Sequence, residues 1–284
     1  MIHQKSILEK LLWIKEEVYH QKPLIHCLTN AISINDCANV VLGLGGKPIM
    51  AEHPREVGEI TSLANALAVN LGNLTDSRIE AMYISAKMAH ECHIPWVIDL
   101  VGVGCSSLRR NLANDLITQY KPSVIKGNMS EIRAISCQPS HAIGIDVGGL
   151  DQVTSANLDE HIQVLKNLSK QTQATIVSTG SIDLISHLEE SYVITNGSPM
   201  LARLTGTGCM INVMIATFLS TGMKLEACLL AVLMMGIAGE LAQNEKGNGS
   251  FRVRLLDEIY SMTAEHFKSY MKLSEYQMVQ EEKR

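Results

Sequence analysis

Aromatic residues are scarce in this sequence of 284 residues, where phenylalanine, tyrosine and tryptophan together make up 4%. Aliphatic side chains and the 14 methionines must therefore fill the core. Hydrophobic residues make up 46% and charged residues only 19%, which excludes extensive disorder. A chain of this length suits one large domain. We expect a single domain over residues 1–284, with an N-terminal helix at about 5–20 and a frayed tail at about 272–284.

The sequence also lacks basic runs, and its formal net charge is −5. Both features argue against a general nucleic-acid-binding protein, so no nucleic-acid partner is expected. The charge-free apolar stretch 227–239 falls short of the roughly 20 residues that a membrane span needs. The first residues lack the apolar core and cleavage site of a signal peptide. We expect no association with a membrane.

The cysteines show no CxxC spacing, and their number, seven, is odd. A disulfide framework and a zinc site are therefore disfavoured, and free thiols in a reducing cytoplasm are expected. The sequence contains no GxxxxGK[ST] motif, which disfavours P-loop NTPases. Gly102-Val103-Gly104 lacks the third glycine of a dinucleotide-binding fingerprint, which disfavours a Rossmann dehydrogenase.

Apolar runs of strand length alternate with segments of helical periodicity from about residue 24 onward. These runs are continuously apolar, as expected for strands that are buried on both faces. We therefore predict an α/β fold with a mostly parallel central sheet and helices on both faces. The predicted strands are 24–28, 48–50, 66–71, 96–99, 123–125, 174–177, 182–186 and 191–195. The last predicted helices are 208–220, 225–243 and 250–270.

Polar and glycine residues follow most of the predicted strands. Ligands of open α/β sheets gather beyond the carboxyl ends of the strands, so these residues are candidates for a site. Each of them alone could equally be an ordinary turn residue. The candidate strand ends are Thr29-Asn30, Gly72, Asp99 with Gly102, Lys126-Gly127-Asn128 and Thr179-Gly180.

Three charged residues at these strand ends suit phosphate chemistry. Asp99 ends an apolar strand and Glu131 follows another, so the two carboxylates could hold Mg²⁺ directly or through water. The alternatives are a turn cap for Asp99 and an exposed position in the first turn of a helix for Glu131. Lys126 could neutralise a nucleotide phosphate, or it could be a solvated lysine.

Thr205-Gly206-Thr207-Gly208-Cys209 precedes a strongly apolar segment of helical length. The glycines allow a tight turn, and the first N–H groups of the following helix would point at an anion. These backbone groups, at Gly206, Thr207 and Gly208, form a candidate anion hole beside one reactive side chain, Cys209. The alternative is a strand-to-helix turn with a buried cysteine.

Taken together, the ordered motifs resemble those of the hydroxyethylthiazole kinases of thiamine salvage, a family of the ribokinase-like superfamily. The resemblance covers about residues 20–270. It rests on these blocks: His26-Cys27-Leu28-Thr29-Asn30, Gly45-Gly46-Lys47-Pro48-Ile49-Met50-Ala51, Asn70-Leu71-Gly72-Asn73-Leu74, Asp99-Leu100-Val101-Gly102-Val103-Gly104, Lys126-Gly127-Asn128-Met129-Ser130-Glu131, Thr205-Gly206-Thr207-Gly208-Cys209, Gly239-Glu240 and 247–253.

The resemblance implies a three-layer α/β/α fold and a homotrimer with active sites between subunits. It implies transfer of the ATP γ-phosphate, with Mg²⁺, to the hydroxyl of 4-methyl-5-(2-hydroxyethyl)thiazole, which supplies thiamine phosphate biosynthesis. Residue roles follow from the matched motifs: Met50 and Gly206 contact the thiazole, Lys126 and Thr179 contact ATP, Asp99 and Glu131 serve the phosphates and Mg²⁺, and Cys209 occupies the position of the base.

Two residues depart from the family pattern. Lys126 replaces a common arginine, which keeps the charge but loses bidentate phosphate binding. Leu100 replaces a usual proline, so the turn after Asp99 is expected to be less rigid. Members of the family carry either cysteine or aspartate where this chain has Cys209. A helix N-terminus can lower the pKa of such a thiol, but we expect the backbone amides and Mg²⁺ to matter more.

Three other functions stay open at this point. One is a ribokinase-like kinase of another small alcohol, such as a pyrimidine or a B6-type vitamin. Another is a catalytically idle protein that binds thiazole or nucleotide. The third is an enzyme that uses Cys209 as a nucleophile, although the sequence specifies no histidine partner for it.

Overall fold

The computed structural model of the protein describes residues 2–142, 144, 148–243 and 246–277. Within these residues the chain forms eleven α-helices. They are α1 (Ile2–Gln21), α2 (Ile34–Gly43), α3 (Val57–Leu63), α4 (Asp76–Glu91), α5 (Ser107–Tyr120), α6 (Met129–Ile135), α7 (Leu158–Thr172), α8 (Thr207–Leu219), α9 (Lys224–Ala242), α10 (Asn248–Ser261) and α11 (Ala264–Tyr270). Most of them connect successive strands of one sheet.

The described residues contain nine strands, all in that sheet, in the order β2-β1-β3-β4-β5-β6-β7-β8-β9. They are β1 (Leu24–Leu28), β2 (Lys47–Ile49), β3 (Ala66–Asn70), β4 (Trp96–Asp99), β5 (Val124–Asn128), β6 (Thr175–Thr179), β7 (Asp183–His187), β8 (Glu190–Ile194) and β9 (Leu273–Glu275). The strands from β2 to β6 pair in parallel, and β7, β8 and β9 continue the sheet in antiparallel pairs. The predicted mostly parallel sheet is confirmed.

Two apolar cores lie on opposite faces of the sheet. Alternate residues of β3 illustrate the division, because Ala66 and Ala68 join one core whereas Leu67 and Val69 join the other. The first core also contains side chains of α1, α2, α8, α9, α10 and α11. The second contains side chains of α3 to α7. Helices therefore cover both faces, as predicted.

The same alternation positions polar residues under α8. Ala68 of β3, Val97 of β4 and Val124 of β5 all belong to the core that α8 helps to form. Two residues further along each strand, the side chain returns to the same face. This rule places Asn70, Asp99 and Lys126 on the α8 face: Asn70 and Asp99 end β3 and β4, and Lys126 lies level with them in β5.

The chain differs from the sequence-based expectation at its C-terminal end. The predicted frayed tail from about 272 is wrong for β9, which pairs with β8 and forms the edge of the sheet. The buried Leu273 anchors this strand in the first core. The strand has only three residues, too few for a period-2 pattern to stand out in the sequence. Residues 278–284 of the predicted tail lie outside the described residues.

Two helical regions also differ from the sequence-based prediction. The predicted helix 250–270 is divided into α10 and α11, because Met262 and Thr263 adopt extended backbone conformations and Thr263 forms a capping box at the start of α11. The short helix α6 was not predicted as an element, although Glu131 was assigned to a possible first turn. Its seven residues offer too few turns for a helical pattern.

Helix α9 is long and apolar enough to cross a membrane by length and composition alone. In this fold 78% of its apolar window is buried inside the protein. It packs against α8 and α10 and contributes to the first core. Burial on this scale is the usual property of a central core helix, so the length of α9 is weak evidence for a membrane span.

Candidate active site

A row of three polar side chains crosses β3, β4 and β5 under the start of α8. The strand register pairs Asn70 with Asp99 and Asp99 with Lys126. The ammonium group of Lys126 donates to both carboxylate oxygens of Asp99 at 3.0 Å, and the Asn70 amide donates to Asp99 Oδ2 at 2.9 Å. All three residues are buried. We call this set the central row.

Burial sets the energetics of the central row. It raises the pKa of Asp99, and the charge and hydrogen bonds of Lys126 together with the hydrogen bond from Asn70 offset only part of this effect. Burial is the largest single influence on Lys126 and would lower its pKa, but the negative charges of Asp99, Cys209 and Glu131 and the hydrogen bonds to Asp99 together outweigh it, so the pKa is raised. The lysine therefore keeps its proton, and its contact with the Asp99 carboxyl group offsets part of the desolvation cost of both groups.

The start of α8 lies above this row. Gly206 caps the helix with φ = 92°, a left-handed conformation that favours glycine. A Cβ atom at Gly206 would approach Cβ of Ser33 to 2.8 Å, so a side chain is excluded by contact as well. The first intrahelical hydrogen bond runs from Met210 N–H to the Gly206 carbonyl. The N–H groups of residues 207–209 precede that bond, and a helix start of this kind suits an anion.

Gly208 and Cys209 bring α8 into contact with the central row. A Cβ atom at Gly208 would lie 3.3 Å from Nζ of Lys126, so glycine leaves room for the ammonium group. The Asn70 amide donates to Sγ of Cys209 at 3.4 Å. The structure thus places the candidate anion hole, the lysine and the cysteine around one point.

The Cys209 thiol is not activated in this structure. Burial raises its pKa and the charge of Asp99 adds to the rise, whereas hydrogen bonds from Ser33 and Asn70 and the charge of Lys126 offset part of it. A helix N-terminus can lower the pKa of such a thiol, but the pKa of Cys209 is raised overall. Burial of the residue, which is 9% exposed, is the largest cause.

Glu131 lies beside the central row but has different partners. Its Oε1 accepts the N–H of Gly102, and its Oε2 accepts the N–H of Asn128, both at 2.8 Å. Together with the Asn128 side chain it forms a capping box at the start of α6. Burial and the charge of Asp99 raise the pKa of Glu131 to about 7, although both backbone hydrogen bonds and Lys126 oppose the rise. The alternative of an exposed first-turn residue is wrong.

The nucleotide-side candidate, Thr179, ends β6 next to β5. Its hydroxyl donates to the Gly127 carbonyl at 3.4 Å, and its register partner is Asn128. The turn that follows is closed by Asp183, whose Oδ1 accepts the N–H of Gly180 at 2.8 Å. Burial raises the pKa of Asp183 to about 7 against this hydrogen bond and the charge of Lys126.

The substrate-side candidate, Met50, follows β2 on the other flank. In the sheet order, β2 is separated from β3 by β1 alone, so Met50 lies at the same carboxyl edge as the central row. Its side chain is half-buried and packs against the first core. Met50 and Thr179 therefore flank the central row on opposite sides, and the candidate residues form one line along the sheet edge.

The oxygen-rich donor set fits a hard divalent cation only in part. Mg²⁺ is usually bound through one or two carboxylates, several waters and substrate phosphates. Asp99 and Glu131 provide two neighbouring carboxylates, but their oxygens accept hydrogen bonds already described. Across the described residues, no three His, Cys, Asp or Glu side chains form a ready cluster for a metal. The residues therefore fit an ion that is bound mainly by substrate phosphates and water, with the two carboxylates in a supporting role.

The position of Asn70 in this arrangement is not evident from the sequence. Asn70 stood in one of the matched motifs, but no function was assigned to it. A period-2 pattern over β3 could have placed Asn70 on one face. Its neighbours Asp99 and Cys209, however, depend on strand register and helix position, which the sequence does not specify.

Comparison with known proteins identifies the family. A family model described as the hydroxyethylthiazole kinase family matches residues 15–265, most of the chain. The chain belongs to this family. The resemblance predicted from the motifs is thereby confirmed, and its match includes every candidate site residue.

Relatives in the hydroxyethylthiazole kinase family extend over nearly the whole chain. Hydroxyethylthiazole kinase 2 of Clostridium botulinum (strain Okra / Type B1) is 51% identical over 263 residues, which cover 93% of this chain and 99% of that protein. The structure of a hydroxyethylthiazole kinase protein from Pyrococcus horikoshii OT3 superposes with a TM-score of 0.85 at 28% identity. That match covers 95% of this chain and all of the other.

A structure of lower sequence identity shares the fold. A ribokinase-like superfamily protein from Enterococcus faecalis V583 aligns with a TM-score of 0.57 at 17% identity, over 83% of this chain and 86% of the other. At this identity the match concerns the fold alone. The predicted ribokinase-like α/β/α architecture is confirmed for this family member.

Proposed function

We propose that this member of the hydroxyethylthiazole kinase family transfers the γ-phosphate of ATP to the primary hydroxyl of 4-methyl-5-(2-hydroxyethyl)thiazole. The product is the phosphate ester that thiamine phosphate biosynthesis consumes. Family membership supports the substrate pair. The observation that carries the proposal is the meeting of the central row with the start of α8.

The charges around this point suit phosphoryl transfer. In such reactions most of the catalytic effect comes from positioning and from stabilising charge on the transferred group. Lys126 supplies a buried positive charge that reaches Gly208, and α8 directs three backbone N–H groups to the same place. We assign the anion hole to Gly206, Thr207 and Gly208, and we assign phosphate binding to Lys126.

The flanking residues give the two substrates separate positions. We assign Met50 and Gly206 to the thiazole and Thr179 to ATP, because Met50 and Thr179 lie on opposite flanks of the central row and Gly206 caps α8 above it. The hydroxyl of the thiazole would then meet the γ-phosphate between them. Cys209 would lie beside that hydroxyl and, in its thiolate form, accept the hydroxyl proton at Sγ. The effect would be modest, because burial raises the pKa of the thiol and keeps the thiolate fraction small.

We further propose Mg²⁺ as the divalent ion of the reaction. It would neutralise charge on the phosphate oxygens when bound. Asp99 in the central row and Glu131 at the start of α6 are the carboxylates that would help to bind the ion. Because their oxygens already accept hydrogen bonds, contact through water is the arrangement that requires least rearrangement.

We propose a homotrimer with active sites between subunits, in the cytoplasm. Support for assembly comes from exposed apolar side chains on two helices that pack together, α2 and α10: Leu42 is 56% exposed, Val253 57% and Tyr260 67%. Support for the compartment comes from the cysteines, which are all unpaired. Sedimentation equilibrium tests the trimer, for which the expected mass is three times 31.2 kDa.

Phosphorus NMR tests the activity directly. The protein is incubated with ATP, Mg²⁺ and the thiazole alcohol, and we expect a new phosphate monoester resonance as ADP appears. Competition with pyridoxal and a hydroxymethylpyrimidine separates the thiazole reaction from that of another small-alcohol kinase. Absence of thiazole phosphate at high protein concentration would contradict the proposal, and binding of both ligands without ADP release would indicate an idle binding protein.

A further inference from the structure

We infer that Asn70 is a positioning residue of the phosphoryl-transfer centre, whose side-chain amide holds the Asp99 carboxylate and the Cys209 sulfur in one fixed arrangement. The inference rests on the proposed function and adds a residue to it. Asn70 is fully buried, at the carboxyl end of β3.

Three of the four hydrogen bonds that the Asn70 side chain can make are formed. The nitrogen, Nδ2, donates to Asp99 Oδ2 at 2.9 Å and to Cys209 Sγ at 3.4 Å. The oxygen, Oδ1, accepts the backbone N–H of Gly72 at 2.8 Å. A primary amide has two N–H hydrogens, so one can serve the carboxylate and the other the sulfur.

The contact with Gly72 fixes the orientation of the amide. Oxygen and nitrogen of a side-chain amide can exchange places by rotation, and only the oxygen can accept the N–H of Gly72. A Cβ atom at Gly72 would lie 2.9 Å from Asn70 Oδ1 and 2.3 Å from Nδ2 of Asn30, so the glycine is required for this close packing. The nitrogen is therefore directed toward Asp99 and Cys209.

The Asn70 amide joins two elements that carry different parts of the proposed chemistry. Asp99 belongs to the sheet, whereas Cys209 belongs to α8. One turn further along α8, Asn212 Nδ2 donates to the Val69 carbonyl at 3.2 Å. This second bond also ties α8 to β3, but it contacts neither Asp99 nor Cys209. Asn212 therefore provides a matched control for loosening of the helix.

The hydrogen bond from Asn70 also orients the thiol. Because the amide donates to Sγ, the thiol hydrogen is directed away from Asn70. The same amide fixes Asp99 Oδ2, and Lys126 contacts both oxygens of that carboxylate. Loss of Asn70 would free the carboxylate and the sulfur together, which predicts that the effects of Asn70 and Cys209 on turnover are coupled.

A double-mutant cycle on the full chain tests this coupling. The kcat and KM for the thiazole alcohol are measured for the wild type, Asn70→Ala, Cys209→Ala and the double variant. We expect Asn70→Ala to lower kcat about 10- to 100-fold, with thiazole KM changed by less than about threefold. In the Cys209→Ala background the same substitution should cost at least about threefold less in kcat.

The control cycle replaces Asn70→Ala with Asn212→Ala. Its effect on kcat should multiply with that of Cys209→Ala, because Asn212 is hydrogen-bonded to β3 and its amide oxygen has no hydrogen-bond partner, so it makes no hydrogen bond to the sulfur. If the effects of Asn70→Ala and Cys209→Ala also multiply, or if Asn70→Ala changes only KM, the inference is overturned. Absence of turnover in the wild type would instead overturn the proposed function, and the inference with it.

A second variant guards against a folding defect in Asn70→Ala. Asn70→Asp keeps an oxygen for the N–H of Gly72 but removes both N–H donors. Because Asn70→Asp also places a second carboxyl group beside Asp99, its effect is measured in the wild-type and Cys209→Ala backgrounds: repulsion of Asp99 would lower kcat equally in both, whereas loss of the bond to Sγ lowers it only when the sulfur is present. We expect kcat to fall at least about tenfold, and a value within twofold of the wild type would overturn the inference.

Discussion

Asp99 and Glu131 are two buried carboxylates at the same edge of the sheet, but their hydrogen-bond donors are of different kinds. The oxygens of Asp99 accept from the side chains of Lys126 and Asn70, whereas those of Glu131 accept from backbone N–H groups. Asp183, which closes the turn after β6, follows the pattern of Glu131.

Because of this difference, the donors to Asp99 can change partners, whereas the donors to Glu131 and Asp183 are held by the backbone. A lysine ammonium group can turn from a carboxylate to a phosphate without a change in the backbone, since its side chain is flexible. A backbone N–H can lose its carboxylate partner only if the turn itself moves. We therefore attribute the chemistry to the central row and the shape of the surrounding turns to Glu131 and Asp183.

The largest expected effect follows from removing the charge of Asp99. Asp99→Asn leaves the buried Lys126 without an anionic partner, which should lower the free energy of unfolding by about 3–5 kcal/mol. Urea denaturation measures the change. The double variant Asp99→Asn/Lys126→Met removes both charges and should recover most of the loss. Equal stability of the wild type and Asp99→Asn would show that the pair is not a buried charge pair.

Glu131→Gln should have a smaller effect. A glutamine offers only one oxygen acceptor to the two N–H groups of Gly102 and Asn128, so one buried donor loses its partner, at a cost of about 1–3 kcal/mol. Urea denaturation again provides the measurement. Glu160, in the first turn of α7, has a side chain 63% exposed, and Glu160→Gln should change stability by less than about 0.5 kcal/mol. Similar changes in the two variants would contradict the role of Glu131.

Asp183 is expected to make stability depend on pH. Its pKa is about 7 in the fold, whereas an unfolded aspartate titrates near a pH of roughly 4. Between these values the folded state keeps a proton that the unfolded state has lost, so the free energy of unfolding falls as pH rises. Asp183→Asn removes this contribution while keeping an oxygen for Gly180.

The variant should therefore gain stability over the wild type as pH rises from about 4 to 7, by at most about 1.4 kcal/mol per pH unit. Thermal or urea unfolding at several pH values measures the difference. Glu131 titrates in the same window in both proteins, so it cancels in the comparison. A difference that stays constant with pH would contradict the buried state of Asp183.

The expected effect of Cys209→Ala on turnover is small compared with that of removing the charge of Asp99. Because burial raises the pKa of the thiol, we expect kcat to fall about 10- to 100-fold, at or below the lower end of the roughly 10²–10⁴-fold range of general-base contributions. Steady-state kinetics with the thiazole alcohol give the value. Cys228→Ala, in the buried part of α9, serves as the control for loss of a thiol. An almost inert Cys209→Ala would favour a nucleophilic cysteine.

The fold was largely predictable from the sequence because its strands are continuous apolar runs separated by helical periodicity. Short elements such as β9 and α6 were not predictable, since three or seven residues are too few to show the periodicity of a strand or a helix. The rule that ligand-binding residues lie at the carboxyl ends of parallel strands correctly placed Asp99, Lys126 and Glu131 at one edge of the sheet. It did not distinguish their partners, because hydrogen bonds to backbone N–H groups depend on turn geometry.

The central claim is that the charged row and the amides of α8, more than the thiol, carry phosphoryl transfer. The most direct test compares kcat of Asp99→Asn with that of Cys209→Ala, under conditions in which circular dichroism shows both variants to be folded. The account predicts that Asp99→Asn loses at least about 10²–10³-fold in kcat and is the more damaging of the two substitutions. A Cys209→Ala variant with lower turnover than Asp99→Asn would contradict it.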